Sequence, residues 1–120
     1  MANPEHVEIL KQGVEVWNKW VLSKEPGFRA YLQGADLNKA NLNGVVLWNA
    51  DLVGANLIGA DLRNAYLVLA DLRAADLFEA HLVGVDLRAA DLKAVDLRRA
   101  DICRGKLYRT DLGGANLGGN

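Results

Sequence analysis

Leucine recurs at every fifth position from Leu32 to Leu117, with Ile102 as the only replacement, over 18 consecutive registers. A period of five suits neither standard element, because leucines five apart rotate by about 140° around a helix and alternate between the faces of a straight strand. The chain can bury all of them only if it turns once per repeat. We therefore predict a solenoid over residues 30–119.

Each repeat also has a small residue two positions before the leucine, which is Ala in 13 of the 18 repeats, and the residue between them is Asp in 10 and Asn in three. Residues two apart point to the same side of an extended chain, so the small residue and the leucine point inward and the carboxylate points outward. The two residues after the leucine form the corner. Glycine often occupies the second corner position, where a tight turn benefits from a residue without a β-carbon: Gly34, Gly44, Gly54, Gly59, Gly84, Gly114 and Gly119.

The unit Ala-Asp/Asn-Leu-x-x resembles the pentapeptide-repeat family, and the resemblance covers about three quarters of the chain. It implies an all-β solenoid, a right-handed quadrilateral β-helix with four repeats to a coil and the leucines filling its axis. Residues 28–120 would then form about four and a half coils at the spacing of stacked strands. The expected structural core includes Leu37, Leu52, Leu72, Leu92 and Leu112.

Residues 1–27 have a helical pattern instead. Asn3 is a candidate N-cap with Pro4 at the first helical position, and an apolar stripe at helical spacing ends near Ser23: Val7, Leu10, Val14, Trp17 and Val21, widened by Ile9, Val16 and Trp20. Pro26 and Gly27 end the pattern. We expect one helix that caps the first coil, because solenoids need a cover for their terminal apolar layer. The alternative is a partner-binding or dimerising helix that uses Trp17 and Trp20.

Charge and cysteine content narrow the possible classes of function. The chain has 14 basic and 15 acidic residues, so its net charge does not predict direct nucleic-acid binding. A single cysteine, Cys103, leaves no disulfide framework, and no secretory signal or membrane-length apolar run is present. We therefore expect a cytoplasmic protein without a membrane partner.

Candidate catalytic groups are scarce. Ser23, Thr110 and Cys103 are the only residues of their kinds, and the two histidines, His6 and His81, complete no triad. His81 and Cys103 would share a face, but two ligands are fewer than a zinc site normally uses. Stacked carboxylates at Asp51, Asp71, Asp91 and Asp111 match the spacing of a glycosidase pair but have equivalent neighbours. We expect no enzyme, no metal and no cofactor.

Acidic and basic residues two positions apart should offset each other on the outer faces. Asp-Leu-Arg occurs at 61–63, 71–73, 86–88 and 96–98, and Asp-Leu-Lys at 91–93. This matters because the resemblance also implies an alternative function, that of a DNA-mimicking effector of DNA gyrase or another DNA-binding protein. The chain lacks the net negative charge for such mimicry, and its unbroken register has no room for the loop insertions of quinolone-protecting members. DNA mimicry therefore ranks second.

Two regions are candidate interaction sites. Val46, Trp48, Tyr66, Val68 and Tyr108 fall on one side of the predicted coil and form an apolar strip, unless the amino-terminal helix or the segment around Phe28 covers Trp48. A basic collar crowds the last complete coil, where it either binds an anionic partner or balances neighbouring carboxylates: Arg98, Arg99, Arg104, Lys106 and Arg109.

The last repeats lack a bulky covering element, so Leu117 could mediate a weak homodimer through the carboxy-terminal coil. The sequence thus predicts a non-enzymatic interaction scaffold. It would bind an unidentified protein partner through a side face or through its carboxy-terminal end.

Overall fold

A computed structural model describes residues 2–118, which form two short helices followed by a regular coil. Helix α1 spans Pro4–Lys11 and helix α2 spans Val14–Leu22. The coil contains isolated parallel bridges rather than longer strands in the described residues, and every bridge joins residue n to residue n+20, from Tyr31↔Asp51 to Asp96↔Asn116. Four repeats therefore make one turn. The predicted right-handed quadrilateral β-helix is confirmed.

Inward-pointing leucines fill the axis of the coil, together with the small residues two positions before them. Leu52, Leu72 and Leu92 are fully buried, and Leu37 is nearly so. Leu112, which the sequence places in the core, is only partly buried because it belongs to the last coil. The core is thus continuous from the cap to residue 97 and thins out beyond it.

The second corner position of each repeat has a left-handed backbone, as the glycine pattern predicts. Gly34 has φ of 67° and Gly44 has φ of 72°, while Gly119 lies outside the described residues. Within residues 2–118, eleven non-glycine residues adopt the same conformation at the equivalent corners. Most of them are polar or Ala, and Leu69, with φ of 64°, is the only large apolar residue among them.

The amino-terminal cap consists of two helices, whereas the apolar stripe predicts one. The chain breaks at Gln12–Gly13 because Gly13 adopts φ of 110°, which side chains with a β-carbon rarely adopt. Asn3 caps α1 as predicted, with its side chain accepting the Glu5 N–H. Val16 is 43% exposed, so it does not widen the buried stripe.

The cap covers the first coil with apolar side chains and with hydrogen bonds. Leu10 and Trp17 are buried in the same core cluster as the leucines of the coil. The whole molecule measures 40 × 25 × 25 Å. Within residues 2–118, neither helix has the length and apolar character needed to cross a lipid bilayer. The proposed boundary between residues 1–27 and 28–120 remains a prediction.

Candidate protein-interaction surfaces

An exposed apolar surface lies on the side of the coil where Val46, Tyr66, Asp86 and Lys106 stack in register. Trp48 is 45% exposed and Tyr66 is 46% exposed, and their rings meet edge to face at 6.5 Å between centroids. Leu69, at the next corner, is 60% exposed. Trp48, Tyr66 and Leu69 together are called the side patch below.

A groove of about 440 Å³ separates the side patch from the segment that links α2 to the coil. Its apolar lining is contributed by both walls: Val21, Leu22, Pro26 and Phe28 on one, and Trp48 and Leu69 on the other. Leu22 is itself 61% exposed. The helix end and the coil therefore form one continuous apolar surface with a concave centre.

Val46, which the sequence places in the exposed strip, is buried beneath α2. The indole Nε1 of Trp17 donates to the Val46 carbonyl at 2.7 Å, and the side-chain oxygen of Asn18 accepts the Val46 N–H at 2.8 Å. The helix therefore covers Val46 and leaves Trp48 exposed. The residue that the helix covers is thus Val46 and not Trp48, for which cover was the alternative.

The apolar strip is also interrupted between Tyr66 and Tyr108. Asp86 and Arg88 form a two-bond ion pair there, with Arg88 Nη2 2.6 Å from Asp86 Oδ2. The hydrogen bond from Arg88 lowers the pKa of the Asp86 carboxyl. Tyr108 lies beyond this pair and is 70% exposed, with the Arg109 guanidinium 5.4 Å from its ring centroid. Val68 is half-buried, so Trp48 and Tyr66 are the predicted strip residues that remain together.

Sequence reasoning missed Leu69 and Leu22 as parts of this surface. Leu69 could have been found, because the second corner position elsewhere holds glycine, Ala or polar residues. Leu22 could not, because its proximity to Trp48 depends on how α2 docks against the coil.

The outward carboxylates are occupied by local bonds. Asp51, Asp71, Asp91 and Asp111 stack as the sequence predicts, and each accepts the backbone N–H two residues further on, as in the 3.2 Å bond from Val53 N to Asp51 Oδ1. In four Asp-Leu-Arg units the arginine also donates two side-chain hydrogen bonds, which lower the pKa of the carboxyl: Asp61, Asp71, Asp86 and Asp96.

Each of these carboxylates accepts a local backbone N–H, and Asp71 is also paired with Arg73. The Asp91 carboxylate likewise lies 3.2 Å from Lys93 Nζ. An acid–base pair needs two carboxyls whose pKa values are pushed apart, whereas each arginine pair lowers the pKa of the carboxyl that it binds, in Asp61, Asp71, Asp86 and Asp96. The ladder therefore acts as a structural element that fixes corners and balances charge.

His81 and Cys103 lie on the same side of the coil, since His81 bridges Asp101 and Cys103 follows two residues later. Cys103 is exposed with a free thiol. In the part of the chain that the structure describes, no group of three or more His, Cys, Asp or Glu side chains could hold a metal ion.

The carboxy-terminal end of the coil has a second apolar surface. A depression of about 260 Å³ is lined by apolar side chains from all four sides: Leu97, Ala100, Ile102, Leu107, Leu112 and Leu117. Leu107 is 37% exposed and Leu117 is 50% exposed. Ile102, Leu107, Leu112 and Leu117 are called the terminal patch below.

The basic collar belongs to the same last coil as this terminal patch, and its members differ in how they are paired. Arg98 binds Asp96 at 2.7 Å, and Arg99 lies 3.6 Å from Glu79. Arg104, Lys106 and Arg109 are exposed, and none of them forms an ion pair within residues 2–118. All three border the side of the coil built by residues 105–109.

The family model of pentapeptide repeats matches in eight copies, over residues 30–67, 55–93, 70–107 and 80–119. None of the curated proteins compared with the sequence gives a significant match.

Several solved structures are similar. One is the pentapeptide repeat protein Rfr23 from the cyanobacterium Cyanothece 51142, which is 36% identical with a TM-score of 0.54 over 68% of this chain and 52% of that one. A pentapeptide repeat protein from Nostoc PCC 7120 is 39% identical with a TM-score of 0.64, covering 64% of each chain. Another, from the Arabidopsis thaliana thylakoid lumen, is 28% identical with a TM-score of 0.58 over 78% of this chain and 60% of that one.

The chain thus spans between 52% and 64% of the length of these three structures. The family match extends from residue 30 to residue 119, which is the whole of the predicted repeat region. On this ground the chain belongs to the pentapeptide-repeat family.

Proposed function

We propose that this protein is a non-enzymatic scaffold that binds an apolar segment of a protein partner through the side patch and its groove. The observation that carries the proposal is Leu69. It combines 60% exposure with a left-handed backbone, two conditions that each disfavour leucine. Asn49 and Asn64 occupy equivalent corners of the coil with side chains that tolerate this backbone.

Residues that break the local rules of a fold without an evident structural gain often mark functional sites. Leu69 contributes nothing to the buried core, and its side chain instead extends the exposed surface of Trp48. Aromatic residues are enriched in protein interfaces because they offer large contact area at low entropic cost. A concave apolar groove beside two exposed aromatic rings is suited to an apolar anchor of a partner.

The absence of catalysis is part of the same proposal. Leucine fills the axis of the coil, so the repeats within residues 2–118 leave no internal pocket along that axis. The stacked carboxylates all accept a backbone N–H from two residues further on, and Asp71 is also paired with Arg73. These observations favour a binding role over acid–base chemistry.

The test uses site-specific crosslinking at two stacked corners of the coil. A photoreactive amino acid is placed at Leu69 or, as the matched control, at Ala89, which occupies the equivalent corner one coil further on. Cells that naturally produce the protein are irradiated, and crosslinked proteins are identified by mass spectrometry. We expect a defined adduct from position 69 that is missing from position 89.

The identified partner is then purified and titrated calorimetrically against wild type, Leu69→Asn and Ala89→Asn. Asn suits the left-handed corner, so both variants should fold and gain up to about 1 kcal/mol of stability. Leu69→Asn should weaken binding by about ten-fold, the equivalent of about 1.4 kcal/mol, while Ala89→Asn leaves it unchanged. Equal affinities for all three proteins would refute the side-patch proposal.

DNA mimicry receives less support from the same observations. The carboxylates of Asp61, Asp71 and Asp86 lie on three different faces of the coil. Each forms an ion pair with the arginine two residues further on, which interrupts the acidic stripe that mimicry requires. A cytoplasmic location stays a prediction, which cell fractionation can test. The weak homodimer also stays a prediction.

A further inference from the structure

The covered amino-terminal end shows what this coil requires at its ends. Its first layer is sealed by apolar side chains of the cap, including the fully buried Trp17. Polar groups of the cap also accept hydrogen bonds from backbone N–H groups of the first coil. The Tyr31 N–H donates to His6 Nδ1 at 3.0 Å, and the Asn18 amide oxygen accepts the Val46 N–H. An amphipathic helical element with hydrogen-bond acceptors is therefore a working cover for this architecture.

The opposite end has the same needs but no such cover in the described residues. The terminal patch exposes leucines that would be fully buried one coil earlier, as Leu87 is. In the middle of the coil, the N–H of Leu87 donates to the Lys106 carbonyl of the next coil at 2.9 Å. The equivalent N–H groups of Ile102, Leu107 and Leu112 make no such bond within residues 2–118. A cover for this end should therefore supply acceptors.

Charge indicates what kind of cover fits. From Arg98 to residue 118 the chain has five basic residues, all in the basic collar, against two acidic ones, Asp101 and Asp111. Arg104, Lys106 and Arg109, which form no ion pair within 4 Å in the described residues, lie close in sequence to Leu107 of the terminal patch. A partner that presents carboxylates along one edge of an apolar stripe would match both the cations and the exposed N–H donors.

A second copy of this chain matches the surface less well. A two-fold pairing of the carboxy-terminal ends places the same surface on both sides of the interface. Two basic collars would then face each other within about 10 Å, the range over which exposed charges interact at moderate salt. Like charges across an interface disfavour that pairing.

We propose that the terminal patch and the basic collar form a docking site for an acidic amphipathic helix of a partner protein. The apolar stripe of that helix covers Leu107, Leu112 and Leu117, as the cap covers the first coil. Its carboxylates contact Arg104 and Lys106 along the exposed side of the coil. This site lies at the other end of the molecule from the groove beside the side patch and does not depend on it.

The test uses designed helices as probes. A stapled amphipathic peptide of about 18 residues, about 27 Å long, is long enough to cross the 25 Å width of the molecule. One peptide has leucines on one face and glutamates on the other; its matched control replaces every glutamate with lysine. Binding is followed by fluorescence anisotropy of the labelled peptide against the full chain. We expect the acidic peptide to bind about ten-fold more tightly than the control.

Two charge variants distinguish binding at this site from non-specific electrostatic attraction. Reversing the charges at Arg104, Lys106 and Arg109 to Glu should invert the preference between the peptides. The control makes the same change in net charge at exposed lysines near the capped end and should leave the preference unchanged: Lys11→Glu, Lys19→Glu and Lys39→Glu. Leu117→Ser should also weaken binding of the acidic peptide, because an apolar contact is lost.

Several outcomes would overturn the proposal. Equal affinity for both peptides would show that the collar does not select the partner, and an unchanged preference in the charge-reversed variant would place the binding elsewhere. Sedimentation equilibrium of the wild type without peptide gives a third check. A tight dimer that Leu117→Arg dissolves would make a second copy the occupant of this end.

Discussion

The two ends of the solenoid are built from the same repeat but differ in what covers them. At the amino-terminal end, α1 and α2 bury the first coil, and side chains such as Asn18 bond its exposed edge. At the carboxy-terminal end, leucines of the same repeat position are partly exposed, and the basic collar belongs to the same coil. A pentapeptide coil therefore does not seal itself. Covering an end requires a different kind of element, which this chain supplies on one side only in the described residues.

The largest effect on this comparison should come from removing the main anchor of the cap. Trp17→Ala leaves a cavity at a fully buried site and removes the indole bond to the Val46 carbonyl. We expect a loss of about 3–5 kcal/mol in the free energy of unfolding, measured in urea. Trp48→Ala is the control, since Trp48 is 45% exposed, and should cost less than about 1 kcal/mol. Similar losses in both variants would contradict the anchoring role of Trp17.

A smaller difference should separate a central leucine from its counterpart at the exposed end. Leu72→Ala removes a fully buried side chain and should cost about 2–5 kcal/mol. Leu112, at the same position two coils later, is only partly buried. Leu112→Ala should therefore lower the free energy of unfolding by only about 1–2 kcal/mol. Urea unfolding gives the totals, and hydrogen exchange should show that Leu112→Ala loosens mainly the last coil, because repeats contact only their neighbours. Equal costs would mean that the terminal coil is covered after all.

Much of this comparison could be predicted from the sequence, because the repeat is local. The five-residue leucine period and the glycines at one corner position suffice for a coil with a turn per repeat, and the structure has the expected n to n+20 bridges. The Asp–Arg ion pairs could also be predicted from the sequence, since Asp61 and Arg63 are only two residues apart. In such a local pattern, the two residues that will be in contact can both be read from the sequence.

The remainder depends on how distant segments dock. The burial of Val46 results from α2 lying across the first coil, which no repeat pattern encodes. The groove forms where Phe28 approaches Trp48 and Leu69, more than one coil apart in sequence. The break between α1 and α2 is a different case, since Gly13, the residue at which the chain leaves the helical conformation, already interrupts the apolar stripe in the sequence.

The finest effect concerns the histidine that seals the covered end. Burial is the main cause that lowers the pKa of His6; nearby Lys24 lowers it further, and Glu5 opposes the shift. Trp20, Phe28 and Tyr31 surround the imidazole ring. The neutral ring is also required by the hydrogen bond, because Nδ1 accepts the Tyr31 N–H. The unfolded chain therefore binds a proton at a higher pH than the folded protein does.

The stabilising contribution of His6 should consequently be complete above about pH 6.5 and decline as the pH falls from there through the lowered folded pKa. The slope cannot exceed about 1.4 kcal/mol per pH unit for one proton. Urea unfolding of wild type and His6→Gln at a series of pH values measures it, with His81→Asn as the control for the other histidine. We expect the slope to persist in His81→Asn and to vanish in His6→Gln. If all three proteins keep the same slope, the bond between His6 and the first coil does not contribute to sealing that end.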